Sequence, residues 1–183
     1  MPMKLAEMEA ILKEEGLKYS TAEDYLRISF STDSYRDSEG EASIYLILKL
    51  EEGGEYFKLI APNLYSCRNE ENRAAAFQTL LMVSWKTKLV QFEFDDNDGE
   101  IRAIVEFPIE DGVLTRKQVL RCMNGMVQII DDYHSAIMSA LRNGSIEFGA
   151  DGKPDELGKQ AEEIYAYLGK KPAASRDRLE LEE

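Results

Sequence analysis

Apolar positions follow a helical period at the start of the chain and a strand period soon after it. Near the N-terminus they recur at three- to four-residue spacing, which predicts a helix ending at Gly16. The members of this stripe are Leu5, Met8, Ile11 and Leu12. Residues Tyr25 to Ser31 then alternate as a strand. The run "ASIYLILKLEEGGEYFKLIAP" predicts two further strands around a Glu-Glu-Gly-Gly-Glu turn, the second ending at Pro62.

The helical period returns after the third predicted strand. Asn69 is a suitable N-cap, and Glu70 and Glu71 favour a first helical turn. The helix that follows is predicted to bury one apolar face. That face contains Ala74, Phe77, Leu80, Leu81, Ser84 and Trp85.

A second pair of strands is predicted around the acidic segment "FEFDDNDGEIRAIVEF". With Gly99 placed at the glycine position of a calcium-binding EF-hand loop, Asp96 and Asp98 occupy ligand positions. Phe94 and Val105 then occupy the first and last ligand positions, and neither side chain can bind calcium. The alternating flanks and the Asp-Gly pair instead predict the turn of a β-hairpin.

The longest helix is predicted to begin at a capping box, Thr115 to Gln118, and to end at Asn143-Gly144. A short helix from about Pro154 to Leu168 and a charged, disordered end follow it. The expected fold is α+β, an antiparallel sheet of about five strands packed by helices in the order α-β-β-β-α-β-β-α. Residues 1–143 would form a single domain, and residues 144–183 an appended helix and tail.

The net charge of the chain limits the classes of partner that it is expected to bind. Its 183 residues carry a formal net charge of −13, with a sequence pI near 4.6. An acidic surface repels phosphate backbones and anionic lipid headgroups, so neither nucleic acid nor membrane is an expected partner. Two isolated cysteines, no signal-peptide pattern and no run of 18 apolar residues indicate a cytoplasmic protein.

Candidate chemistry is sparse. The chain has one histidine, His134, one helical turn after Asp131, and this pair could supply two metal ligands. The same histidine also lies in the apolar stripe of its helix, which favours a packing role. No phosphate loop, nucleophile elbow or dinucleotide motif is present, so no catalytic residue and no cofactor is predicted. The alternative to a binding module is a metal- or small-molecule-responsive domain that uses Asp131 and His134, or the Asp95–Asp98 turn.

Apolar side chains lie on both faces of the predicted middle strands. A sheet with one wet face should be more polar on that side, so the second face is expected to bind a partner, a second copy or the appended helix. The last helix carries its own apolar stripe, which must dock somewhere. The predicted partner-binding residues are Tyr45, Ile47, Phe57, Leu59, Ile104, Ile164 and Leu168.

The order of elements from Leu5 to Leu141 resembles the YbjN family, whose members are similar in fold to type III secretion chaperones of the CesT/Tir class. The resemblance rests on "FKLIAP", on "AAAFQTLLMVSWKTKLVQFEFD" and on "DGEIRAIVEFPIEDGVLTRKQVLRCMNGMVQIIDDYHSAI". It implies an antiparallel α+β fold, frequent homodimers and non-catalytic binding of other proteins. It supplies no catalytic residues, and the chain after about Asn143 lies outside it.

Overall fold

The computed structural model describes residues 2–68 and 71–146. It contains three α-helices and one six-stranded sheet. The helices are α1 (Leu5–Glu14), α2 (Arg73–Lys86) and α3 (Arg116–Asn143). The strands are β1 (Tyr19–Thr21), β2 (Tyr25–Ser31), β3 (Ser43–Glu51), β4 (Tyr56–Ser66), β5 (Gln91–Phe94) and β6 (Glu100–Pro108).

The sheet is antiparallel throughout, in the order β1-β2-β3-β4-β6-β5. The α+β class is confirmed, but the sheet has six strands where five were expected. The additional strand is β1, whose three residues pair with Leu26 to Ile28 of β2. Three residues are too few for an alternating pattern to stand out in the sequence. The predicted bounds of β2, Tyr25 to Ser31, are confirmed.

The prediction that Pro62 ends its strand was wrong. Strand β4 continues to Ser66 through a shift in register between Ala61 and Tyr65. A bulge accommodates a proline because it interrupts the ladder of hydrogen bonds to which proline cannot donate. The next residue, Asn63, has a φ of 53°, and its N–H donates to Oε1 of Glu100 at 2.7 Å. Beyond the bulge β4 still pairs with β6, with Tyr65 opposite Ile101 and Ser66 opposite Glu100.

The core lies between one face of the sheet and the helices. Antiparallel register places Leu26, Leu48, Leu59 and Val105 in one row across four strands, and all four are buried. Met8 and Leu12 of α1 and many apolar residues of α3 belong to the same cluster. The residues of α3 are Val119, Cys122, Met123, Met126, Ile129, Ile130, Tyr133 and Ile137.

Both predicted ends of α3 are confirmed. The N–H of Gln118 donates to Oγ1 of Thr115 at 3.3 Å, and Oε1 of Gln118 accepts the N–H of Thr115 at 2.8 Å. Gly144 closes the helix with a φ of 68°, a left-handed conformation that glycine adopts without a steric penalty. In the described part of the chain, no helix is long and apolar enough to cross a membrane. The predicted helix at Pro154 to Leu168 lies outside the described residues.

The acidic segment between β5 and β6 is a hairpin turn. The N–H of Asp95 donates to the carbonyl of Glu100 at 2.9 Å, and the N–H of Gly99 donates to the carbonyl of Asp95 at 2.8 Å. Oδ1 of Asp95 accepts both the backbone and the side-chain N–H of Asn97, each at 2.8 Å. The backbone bond in particular lowers the pKa of the Asp95 carboxyl. These groups close the turn, as the sequence predicted.

Candidate functional site

The sole histidine belongs to α3, and its ring is part of an aromatic cluster with Tyr35 and Tyr65. Nδ1 of His134 is 3.3 Å from the hydroxyl oxygen of Tyr65, and the two rings stack with centroids 5.8 Å apart. The ring of Tyr35 meets His134 edge-on at 5.1 Å. Burial lowers the pKa of His134; Arg142 and Arg36 act in the same direction, and only Asp131 opposes them. The imidazole is therefore neutral near pH 7.

Asp131 fixes the segment that follows β2 to α3. Its Oδ1 accepts the N–H groups of Ser34 and Tyr35, each at 2.7 Å, and its Oδ2 accepts that of Asp33 at 3.0 Å. Both carboxylate oxygens are thus engaged by backbone donors. Residues 2–68 and 71–146 contain no group of three or more His, Cys, Asp or Glu residues that could hold a metal ion. The position of Asp131 indicates a structural role.

The neighbouring carboxylate, that of Asp132, is only partly hydrogen-bonded. Oδ1 of Asp132 accepts the side-chain N–H of Gln128 at 2.5 Å, whereas Oδ2 is buried without a hydrogen-bond partner among the described residues. Burial raises the pKa of this carboxyl to about 6. A folded-state pKa above the ordinary value favours the protonated form, so this group stabilises the fold at low pH. That contribution is lost as the pH rises from about 4 through about 6.

The two adjacent aspartates should therefore respond oppositely to neutralisation. Near pH 7, Asp131→Asn is expected to lower the free energy of unfolding by about 2–4 kcal/mol, because one amide cannot accept three N–H groups. Asp132→Asn should change it by less than about 1 kcal/mol, or raise it. Urea denaturation near pH 5 and pH 7 checks both. Equal losses in the two variants, or a pH dependence unchanged by Asp132→Asn, would contradict the assignment.

Both cysteines are buried in the core and are not joined in a disulfide. Burial raises the pKa of Cys122 to about 11, so this thiol stays protonated at neutral pH. Cys67 is 3% exposed, and its backbone N–H donates to the carbonyl of Gly99 at 2.8 Å. Their positions indicate packing roles, because a nucleophilic cysteine needs an accessible thiolate.

A cleft of about 750 Å³ opens at the end of the sheet where β4, the segment after β2 and the last turns of α3 meet. We call it the arginine cleft, because three of its side chains are arginines from three separate parts of the chain: the segment after β2, the residues after β4, and the last turn of α3. Its polar lining includes Arg36, Asn63, Tyr65, Arg68, His134 and Arg142. The cleft thus brings together residues that no sequence motif connects.

The outer face of the sheet carries three of the predicted partner-binding residues. Tyr45 and Ile47 of β3 are partly buried there. Register pairs Ile47 with Ile60, and Ile60 with Ile104, so these isoleucines form a row across three strands. Ile104 is only 1% exposed although it lies outside the main core cluster. The accessible part of the row is therefore Ile47 and Ile60.

Charged side chains border this row. Nζ of Lys58 lies 3.1 Å from Oε2 of Glu106, and Nζ of Lys49 lies 2.8 Å from Oδ2 of Asp24. The guanidinium of Arg27 lies 4.1 Å above the ring centre of Tyr45. An apolar strip with a polar rim has the anatomy of a binding surface.

Two of the other predicted partner-binding residues, Phe57 and Leu59, are not on this face. Phe57 and Leu59 belong to the opposite, inward face of β4 and are 0% exposed. Adjacent positions along a strand point to opposite faces, and Lys58 and Ile60 are the β4 residues that point outward. Ile164 and Leu168 lie outside the described residues.

Helix α2 exposes residues that the sequence pattern predicted as buried. Leu81 is 71% exposed, Trp85 is 90% exposed, and Leu89, just beyond the helix, is 49% exposed. We call these three residues the α2 patch. The buried side of the helix consists of Ala76, Thr79, Leu80 and Val83.

The predicted face of α2 was partly wrong: Leu80 is buried and Phe77 packs against the core, but Ala74, Leu81 and Trp85 are exposed. The helix "RAAAFQTLLMVSWK" is apolar on nearly every side. Such a helix has no unique buried face in the sequence alone. The all-round apolar character is nevertheless a signal, because a helix with this pattern is normally covered on more than one side. It is the feature that could have revealed the α2 patch.

Comparison with known proteins shows the fold. No protein-family model and no curated protein matches the chain. Among solved structures, the chain is similar to YbjN, a proposed transcription regulator from E. coli, with a TM-score of 0.54 and 14% identity over 73% of this chain and 93% of YbjN. The chain therefore has a YbjN-like fold, as the sequence resemblance implied.

Two type III secretion-related structures also match. One is the HopA1-SchA chaperone-effector complex, with a TM-score of 0.48 and 13% identity over 74% of this chain and 100% of that chain. The other is the ExoU-SpcU heterodimeric complex from the type III secretion system of Pseudomonas aeruginosa. It has a TM-score of 0.45 and 19% identity over 74% of this chain and 98% of that chain.

Proposed function

We propose that this chain is a non-enzymatic protein-binding module that acts as a homodimer in the cytoplasm. The observation that carries the proposal is the α2 patch, where Trp85 is 90% exposed beside Leu81 at 71%. Tryptophan is among the residues most enriched where proteins bind each other, and a contiguous exposed apolar patch marks such a surface.

The position of the patch favours a second copy of the chain as its occupant. Helix α2 lies against β5, and the rings of Phe77 and Phe94 join them with centroids 4.8 Å apart. Strand β5 is an edge strand of the sheet. A helix and a strand at one edge can face their symmetry mates across a two-fold axis, and such an interface is self-complementary. The protomers would bury Trp85 and Leu81 of each copy.

Dimerisation through α2 leaves the outer face of the sheet free for another protein. Ile47, Ile60 and Tyr45 would contact the partner, and the surrounding ion pairs would form the rim. Phe57 and Leu59 have no place in this surface, because they are fully buried. The bonded, neutral His134 and the two buried thiols support binding rather than catalysis.

The dimer is tested by multi-angle light scattering combined with tryptophan fluorescence. Trp85 is the only tryptophan, so its emission reports directly on the proposed interface. We expect a mass twice the 20.8 kDa of one chain at micromolar concentration. Dilution should give a monomer together with a red shift of the emission. A monomer over the whole range, or a dimer in which Trp85 emits as a solvated indole, would contradict the α2 interface.

Partner binding is tested separately by capture from a cell extract. The bait is the wild-type chain, with Ile47→Asp as the disrupting variant. Lys117→Gln, an exposed change on α3 that alters the net charge by the same amount, is the matched control. A partner of the outer face should be lost with Ile47→Asp and retained with Lys117→Gln. A partner that binds all three baits equally would place the surface elsewhere.

A further inference from the structure

The arginine cleft brings three cationic side chains together with four carboxylates, those of Asp37, Glu39, Asp98 and Glu100. The protein has a net charge of −13, yet Arg36, Arg68 and Arg142 all line this one cleft. Arg36 and Arg142 both act on the pKa of His134, so their charges reach the same part of it. Nε of Arg68 donates to the carbonyl of Asp98 at 2.7 Å, which holds its guanidinium beside the hairpin turn.

Most of the carboxylates at the cleft are held by backbone donors. Oδ1 of Asp37 accepts the N–H groups of Glu39 and Glu41, each at 2.9 Å. Oδ1 of Asp98 accepts the N–H of Glu100 at 2.9 Å, and Oε1 of Glu100 accepts a further backbone N–H at 2.7 Å. The fourth carboxylate, that of Glu39, belongs to an exposed residue. Three carboxylates thus shape the loops and keep their charge. Nη1 of Arg36 donates to the carbonyl of Tyr35 at 2.7 Å, and within the described residues neither Arg36 nor Arg142 forms a salt bridge.

The floor of the cleft supplies a neutral donor. Burial raises the pKa of Tyr65 well above its ordinary value, so the phenol stays protonated. Its hydroxyl oxygen lies 3.3 Å from Nδ1 of His134, and either tautomer of the neutral imidazole leaves one O–H or N–H of the pair free to donate to a ligand. Met138 and Leu141 add an apolar wall from α3.

We propose that the arginine cleft binds a small organic oxyanion, either a carboxylate or a phosphate ester. The guanidinium groups of Arg36 and Arg142 bind the charged end, because their planar forks match both anions. The organic part of the ligand lies against Met138 and Leu141. A volume of about 750 Å³ falls within the size of small-molecule sites. This site is separate from the α2 patch and does not depend on dimerisation.

Three probes of matched shape test the proposal: phenyl phosphate, benzoate and the neutral benzamide. The only histidine gives one set of imidazole signals in the NMR spectrum of the full chain. Phenyl phosphate, benzoate or both should shift these signals in a saturable way. Each anion that binds should raise the pKa of His134, since a nearby negative charge favours the imidazolium. Benzamide should cause neither change, and the more strongly bound anion identifies the ligand class.

Variants separate the site from nonspecific ion binding. Arg36→Gln combined with Arg142→Gln should weaken binding by about tenfold or more, because two charge-assisted contacts are lost. Arg121→Gln, an exposed arginine of α3 that does not line the cleft, should leave the affinity unchanged. If the double variant melts earlier than the wild type, Arg142→Lys replaces it, and a loss of affinity with charge retained still supports the site. No shift with either anion, equal binding of benzamide, or unchanged affinity in the cleft variants would overturn the proposal.

Discussion

Replacing Leu81 and Trp85 together with aspartate is expected to convert the homodimer into a folded monomer. Each protomer would bring two charges into the interface, and four buried like charges cannot be compensated there. The dissociation constant should rise at least about a thousandfold, because losing a central tryptophan alone costs about 2–4 kcal/mol and the charges add to it. Sedimentation velocity over a concentration series measures this change.

The same double variant should keep its fold. Both side chains are exposed in the monomer, so their loss creates no cavity, and aspartate lowers helix propensity by only about 0.7 kcal/mol per position relative to alanine. Val113→Asp controls for placing a charge at an exposed apolar position, because Val113 is 56% exposed and lies outside α2. If the double variant at Leu81 and Trp85 stays dimeric, the α2 interface is ruled out. If Val113→Asp also dissociates the dimer, added negative charge on the surface is the cause, and not the loss of the α2 contacts.

Local signals explain what could be predicted from the sequence. The Asp98-Gly99 turn, the Thr115 cap and the Gly144 stop each depend on residues within a few positions of one another. Such signals act through the preferences of short backbone segments, so they are visible without tertiary structure. The α+β class followed because these signals fix the alternation of helices and hairpins.

The candidate site could not be predicted in the same way, because it depends on contacts between distant segments. Asp131 accepts the N–H of Ser34, a residue 97 positions away, and the spacing of Asp131 from His134 in the sequence gives no sign of this structural contact. The arginines of the cleft come from three separate parts of the chain with no common motif. The buried side of α2 is likewise chosen by packing against α3 and not by its own pattern.

Substitutions on the outer face of β3 and on the inner face of β4 should affect stability to different degrees. Phe57 is 0% exposed and its ring lies 5.4 Å from that of Phe107, so Phe57→Ala should lower the free energy of unfolding by about 3–5 kcal/mol. Ile47 is partly exposed, and Ile47→Ala should cost about 1 kcal/mol or less. Urea denaturation of both variants measures the difference.

Binding should follow the opposite order at a temperature where both variants are fully folded. Ile47→Ala should weaken capture of a partner of the outer face, because it removes an accessible apolar contact. Phe57→Ala should retain capture, since its side chain never reaches that surface. Ile60→Ala provides a second outward-facing variant. Because Ile60 and Phe57 both belong to β4, this variant compares the two faces of a single strand. If Phe57→Ala abolished capture while folded and Ile60→Ala did not, the partner would engage the inner side of β4, and the outer face would have to be abandoned as the binding surface.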